Sequence, residues 1–245
     1  MDFRSRLLER ASPGTVNQVV GILKIAYKEG IYREELERNP MAGIGLIHYQ
    51  KQERGILTID ELQLLFPAEA LGPWKDLVDH ACFLFAASTG MRRGEILALR
   101  WGQLHLQDGY VLIDRAWKDA DEEGPPKWNH VRSSVFAVLR DRVEKSLEEL
   151  HDASLHTAPT DFLFCYDDGE PLGFTWWKKR FETAMERFGV DRKARQLSPH
   201  SFRHTLASLL RGAGKDPALI RASLGWRSSR RRRTTPTYPC RTSQG

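Results

Sequence analysis

Two short segments of this 245-residue chain carry side chains suited to phosphate chemistry. In Thr89-Gly90-Met91-Arg92-Arg93-Gly94-Glu95-Ile96 an arginine stands at the expected start of a helix, just after a glycine that permits a tight approach. A helix start offers unpaired amide groups, and a guanidinium beside it can donate two parallel hydrogen bonds, so the pair suits a phosphate. Taken alone, the segment is suggestive only, since an arginine near a helix start more often pairs with a neighbour such as Glu95 or sits in solvent. Downstream, Pro199-His200-Ser201-Phe202-Arg203-His204-Thr205 places His200 and Arg203 three positions apart, which puts both on one face of a helix. A histidine and a cation on one face can move a proton and neutralise charge at the same place. His200 and His204 also have a zinc-ligand spacing, but the glutamate of a His-Glu-x-x-His motif is missing and Arg203 adds repulsive charge, so no metal is expected.

Helices must hold both segments in place. Leu77 to Ala87 reads as a buried helix, followed by a turn at Ser88-Thr89-Gly90 and a further helix through Leu99. Later helices are expected over Arg140 to Leu150, Thr175 to Phe188, Pro199 to Leu210 and Pro217 to Leu224. The last two open on Ser198-Pro199 and Asp216-Pro217, each a capping residue with proline in the first turn, and Gly225 is placed to stop the final one. Between Leu104 and Val138 the pattern changes to two β-type runs, His105 to Asp114 and His130 to Val138, separated by a polar loop containing Gly124-Pro125-Pro126. Near the N-terminus, Ser12-Pro13 starts a helix whose Val16, Val19, Val20, Leu23 and Tyr27 recur at helical spacing, ending near Gly30. A polar stretch follows Asn39-Pro40, and Thr58-Ile59-Asp60-Glu61 then forms a capping box that opens a second domain.

The bulk numbers agree with a globular protein, since 41% hydrophobic residues in a chain of this length can bury a core. No apolar run is long enough to span a bilayer, and Met1 to Arg10 lacks the apolar stretch of a secretion signal, so a cytoplasmic location is expected. The three cysteines, Cys82, Cys165 and Cys240, are far apart and show no CxxC spacing, which argues against disulfide and metal roles. The formal net charge of +5 belongs to the end of the chain: residues 227 to 245 hold six arginines and no acidic residue, so without them the balance is −1. Basicity therefore gives no evidence that the folded body binds nucleic acid.

Together with Leu99-Arg100-Trp101 and Leu224-Gly225-Trp226-Arg227-Ser228-Ser229, the two phosphate-directed segments resemble, in order, the motif boxes of the tyrosine recombinases, or phage integrases. The resemblance covers about residues 12 to 229. It implies a mainly α fold with a small antiparallel β-sheet, preceded by a partial helical core-binding domain. The divisions expected are 1–44 for that DNA-clamp domain, 45–56 for a linker, 57–229 for the catalytic domain and 230–245 for a basic, disordered or non-native tail. The implied activity is site-specific DNA integration or excision for a mobile element, by strand cleavage and rejoining through a 3′-phosphotyrosine, on double-stranded DNA and in a tetrameric synapse.

The resemblance also assigns residues. Arg92 and Arg203 match the arginines that stabilise charge on the nonbridging oxygens, a task bidentate guanidinium groups perform well. Lys127 is the best match to the lysine that protonates the departing 5′ oxygen, with Lys118 in reserve. His200 matches the histidine that assists proton transfer at the nucleophile. Trp226 stands where the family carries His or Trp, and can pack and donate its indole hydrogen but cannot act as a base. Glu95 is expected to be a buried partner of Arg92. Because arginines neutralise the charge and a side chain attacks, neither a metal nor a nucleotide cofactor is implied. The nucleophile is the point of departure. The only tyrosine after Trp226 is Tyr238, twelve residues on where about nine are expected, between Pro236 and Pro239 and without the usual histidine following it. The segment after Ser229 is thus expected to be foreign to the fold, as a lost reading frame would make it, and a non-catalytic DNA-binding remnant is the alternative to an active enzyme.

Overall fold

A computed structural model describes residues 3–50, 54–119, 122–126 and 131–225. The chain divides into two compact units, Met1–Glu53 and Arg54–Gly245. In the first, α1 (Phe3–Leu8) precedes α2 (Pro13–Tyr32). The Ser12 hydroxyl caps α2 by accepting from the Thr15 amide, and Pro13 sits where a missing N–H costs nothing. One face of α2 buries Val16 and Val20 against Met41. The chain returning along it is held by Asn17, whose side-chain amide donates to the Ile47 carbonyl at 2.9 Å and accepts from the Ile47 amide at 2.8 Å.

The second unit begins with α3 (Ile59–Leu65), α4 (Leu77–Thr89) and the short α5 (Arg93–Leu97). The capping box is present on α3: the Thr58 hydroxyl accepts from the Glu61 amide at 3.1 Å and the Glu61 carboxylate from the Thr58 amide at 2.8 Å. Helix α4 is the axis of the core, buried from Asp79 through Thr89 and packed against α6 (Arg140–Ala153) and α8 (Ser201–Gly212). Its Phe83 stacks on Trp74 at 4.5 Å and meets Trp177 of α7 (Phe174–Arg187) at 4.6 Å and Phe202 of α8 at 6.3 Å. Aromatic pairs in such offset and tilted arrangements add to the burial of their area, so α8 is fixed to α4 beside the residue that follows, Arg203. Leu206 and Ala207 of α8 close a smaller cluster with Ile220 of α9 (Pro217–Ser223) and Leu224.

The strands are β1 (Leu104–His105), β2 (Tyr110–Ile113), β3 (Ala116–Asp119), β4 (Glu122–Gly124) and β5 (Arg132–Val135), in an antiparallel three-stranded sheet of order β1-β2-β5 and a separate β3–β4 hairpin. Several local expectations need correction. The run His105 to Asp114 is two strands, because Gly109, at φ 71°, turns the chain between them. The polar loop before Pro125 contains the β3–β4 hairpin, held by side-chain pairs such as Arg115–Glu123 at 3.1 Å rather than by alternating apolar residues. The helix after Gly90 ends at Leu97. Ser198-Pro199 does not open α8; His200 occupies the capping position, and the Ser201 hydroxyl accepts from the Ser198 amide at 3.0 Å, bracing the turn in front of it. Asp216 does cap α9, accepting from the Ala218 amide at 2.6 Å.

Among the described residues, no helix is long and apolar enough to cross a membrane.

Candidate functional site

The end of α4 creates the site. Gly90 ends the helix in the left-handed conformation at φ 60°, and a Cβ there would lie 2.6 Å from Leu224 Cδ2 and 3.0 Å from Leu206 Cδ2. Only glycine meets both conditions, so α4 can stop directly beneath α8 and the end of α9. The chain then enters α5 with Arg92 in its capping position. Glu95, one turn on and buried, accepts from the Arg92 amide at 2.8 Å and from Arg92 Nη1 at 2.9 Å. Arg92 Nη2 donates to the Gly225 carbonyl at 2.9 Å. Arg93, the other arginine of the segment, stacks over the Phe174 ring with its guanidinium carbon 3.6 Å from the centroid.

Arg203 is only 2% exposed, and its Nη1 donates to the Gly90 carbonyl at 2.6 Å while its Nη2 donates to the Leu224 carbonyl. A third guanidinium joins from β5, where Arg132 Nη1 donates to the Ser223 carbonyl at 2.7 Å and Nη2 to Glu95 at 2.6 Å. Three consecutive carbonyls at the end of α9, those of Ser223, Leu224 and Gly225, thus each accept from a different arginine. The C-terminal end of a helix carries partial negative charge, which helps to gather these cations. One carboxylate among three guanidinium groups leaves the cluster positive. Burial, and then the neighbouring Arg92, push the Arg203 guanidinium down to about 9, with Glu95 opposing the shift. A positively charged cluster of this kind, partly withdrawn from solvent, attracts an incoming anion.

Beside the cluster lies a cleft of about 570 Å³ lined by Arg92, Arg203, His200, Lys118, Trp117 and Lys178 among others. A larger, shallower one of about 710 Å³ around Trp101, His105 and His151 contains none of these residues. His200 stands at the start of α8 with its ring 4.9 Å from that of His204. Partial burial, followed by the nearby His204, Arg203, Arg54 and Arg92, pushes its imidazole down to about 4. A neutral imidazole is a proton acceptor, the form a general base needs. His200 is therefore expected to stay neutral at pH 6: its ring-carbon resonances, assigned by loss in His200→Gln, should move only well below the ordinary midpoint near 6.5, and a midpoint there would overturn the assignment.

The structure thus brings Arg92, His200 and Arg203 together. Lys127, Trp226 and Tyr238 lie outside the described residues, as does the whole tail from residue 226. Lys118 is on the cleft wall, 3.4 Å from Glu122 in a half-exposed ion pair. Arg132 was not singled out by sequence reasoning. In β5 it pairs with Ile113 and Ser134 with Val111, both partners being fully buried, so the strand register places Arg132 on the inward face.

The pattern described as the Phage integrase family matches residues 56–238. The chain is 25% identical over 229 residues to Prophage integrase IntR of Escherichia coli, covering 83% of this chain and 51% of the relative. It is 25% identical over 234 residues to the ICEBs1 integrase of Bacillus subtilis, covering 91% and 61%, and 29% identical over 190 residues to tyrosine recombinase XerD of Chlorobaculum tepidum, covering 73% and 57%. It therefore spans between half and two thirds of the length of these relatives. Among solved structures, the Tn1549 transposon integrase in complex with a circular intermediate DNA superposes with a TM-score of 0.76 at 16% identity, covering 92% of this chain and 75% of that one. A lambda integrase tetramer bound to a Holliday junction gives 0.67 at 17% identity, covering 93% and 63%. With the boxes ordered along the sequence, their arginines joined in space and the family pattern matched over residues 56–238, the chain belongs to the phage integrase family and carries its tyrosine recombinase catalytic fold.

Proposed function

We propose that this chain breaks and rejoins double-stranded DNA at specific sites through a 3′-phosphotyrosine, in the integration or excision of a mobile element. The observation that carries the reading is the meeting of Arg92 and Arg203, from segments 111 positions apart in sequence, on the adjacent carbonyls of Gly225 and Leu224 at the cleft. A guanidinium carries its N–H donors in a planar fork, the geometry that suits nonbridging phosphate oxygens. In the first step the Tyr238 oxygen forms a bond to phosphorus, its phenolic proton passing to the neutral His200. The bond from phosphorus to the 5′ oxygen breaks, and that oxygen takes a proton from Lys127. Trp226 is assigned the part the resemblance gives it, that of an indole hydrogen donor rather than a base. Rejoining reverses these transfers with a 5′ hydroxyl as nucleophile. The arginines supply the charge neutralisation, and the mechanism calls on neither metal nor nucleotide cofactor. Assembly as a tetramer on DNA in the cytoplasm is part of the same proposal, supported by the tetrameric state of the lambda integrase relative on its junction.

A second reading has an observation of its own. Tyr238 lies between Pro236 and Pro239, which oppose a helix that would hold its hydroxyl in place, and this favours a remnant that binds sites without cutting them. Against it, the family match runs to residue 238. Denaturing capture of protein bound to a supercoiled plasmid carrying the element's ends separates the two. An active enzyme gives a covalent adduct that Tyr238→Phe abolishes. Binding with no adduct assigns the remnant, and an adduct that survives Tyr238→Phe removes Tyr238 from the mechanism.

A further inference from the structure

Arg92 has two side-chain tethers, the Glu95 carboxylate and the Gly225 carbonyl. Arg132 holds both. It donates to the second oxygen of Glu95 at 2.6 Å and to the Ser223 carbonyl at 2.7 Å, two residues before Gly225. It also fills the space against Gly225 itself, where a Cβ would come within 2.7 Å of Arg132 Nε. Gly225 is at φ 60°, so the chain turns there with the Arg132 guanidinium as its floor. The Arg132 side chain is 13% exposed and that of Glu95 2%, which removes both from competition with water and makes the pair geometrically exacting. Arg92 is more open, at 27%, and faces the cleft.

We propose that Arg132 is the positioning residue of Arg92: it clamps the carboxylate and the helix end to which Arg92 is tethered, so that Arg92 meets the phosphate in one fixed orientation. The proposal rests on Arg92 being a phosphate ligand, as set out above. Two of the three arginine donors to the end of α9 then address the substrate, and the third addresses only the protein. Arg132 further couples β5 to the turn from which the chain leaves towards Trp226, so the same clamp fixes the point of departure of the segment carrying the proposed nucleophile.

Two measurements on the full chain test this, using wild type, Arg92→Ala, Arg132→Met, Arg132→Lys and the Arg92→Ala/Arg132→Met double variant. In hydrogen–deuterium exchange, Arg132→Met should speed the amides of residues 217–225 by about tenfold while leaving those of the α4 core unchanged. In binding to a short labelled duplex at low salt, Arg92→Ala and Arg132→Met should each weaken affinity by about tenfold, and the double variant by no more than about twofold beyond Arg92→Ala, because one residue acts through the other. Arg132→Lys keeps the charge but cannot span two acceptors, so it should fall between wild type and Arg132→Met; it also carries the test if the methionine variant does not fold. Losses that simply add would give Arg132 a phosphate contact of its own and overturn the proposal, as would unchanged exchange in 217–225. If no protein of the set binds duplex, the DNA reading fails while the exchange result still decides whether Arg132 clamps the end of α9.

Discussion

Replacing Arg203 by methionine should cut strand cleavage by about three orders of magnitude or more while changing folding stability by no more than about 2 kcal/mol. The first half follows from what the side chain does in the proposed reaction. Charge grows on the nonbridging oxygens in the transition state, and a buried guanidinium already in place costs no reorganisation to meet it. The second half comes from opposing terms. Methionine leaves the Gly90 and Leu224 carbonyls without their donor, at about 1–3 kcal/mol each for a buried acceptor. It also removes a cation that is 2% exposed, beside a Glu95 carboxylate already paired with Arg92 and Arg132. Removing one of three crowded guanidinium groups also relieves its repulsion with Arg92 and Arg132 and the cost of keeping that charge from water. The two effects are of the same size and largely cancel.

The pH dependence has the same origin. Because the folded state lowers the Arg203 guanidinium from its ordinary value to about 9, the unfolded chain binds the extra proton above that pH. The destabilisation from Arg203 is thus complete below about 9 and is relieved as pH rises above that value. Urea denaturation of wild type and Arg203→Met across this range, beside cleavage rates, checks both halves. A variant that is active, or one that loses the whole fold, contradicts the assignment of Arg203 as a cation kept at a cost in stability for its action on phosphate.

The second large effect is expected at Gly94. A Cβ on this residue would lie 2.2 Å from the Trp117 carbonyl oxygen and 3.3 Å from its carbon, and backbone cannot rotate aside as a side-chain end can. Helix α5 cannot retreat either, since Glu95 is held by Arg92 on one side and Arg132 on the other. The β3–β4 hairpin must therefore move. Gly94→Ala should destabilise the protein by about 2 kcal/mol, overpacking outweighing the gain in helix propensity. It should also slow cleavage by about a hundredfold, the usual penalty for misplacing a reacting group by an ångström. Lys118 sits on this hairpin, and Lys127 follows it in sequence. Gly212→Ala, with nothing within 4 Å of the added carbon, is the control and should leave both quantities near wild type. Equal behaviour of the two variants would show that α5 and the hairpin are not in register contact.

What the sequence made legible is chiefly what is local. The capping box at Thr58 and Glu61 and the Asp216-Pro217 cap depend on residues within one turn of each other, and their chemistry can be read directly. The β3–β4 hairpin could not, because its short apolar pair, Ala116 and Trp117, stands between charged residues whose partners, Glu123 for Arg115 and Glu122 for Lys118, lie across the hairpin. Spacing placed His200 and Arg203 on one face, but nothing in it foretold the burial of Arg203, which depends on Gly90 stopping α4 directly beneath it. The resemblance paired Arg92 with Arg203 without the means by which they meet. That means is the row of carbonyls at residues 223–225, a tertiary feature assembled from α4, α8, α9 and β5. Arg132 belongs to the same feature, and its inward position in β5 became informative only with the strand register in hand.

The salt dependence of duplex affinity, compared between wild type and Arg92→Ala, tests most directly whether this cleft binds a DNA phosphate. With Arg92 as a phosphate ligand, the variant should bind more weakly on every sequence, and the slope of log affinity against log salt should shrink in magnitude by about one. An unchanged slope with unchanged affinity would contradict it, leaving Arg92 a partner of Glu95 and the end of α9 and nothing more.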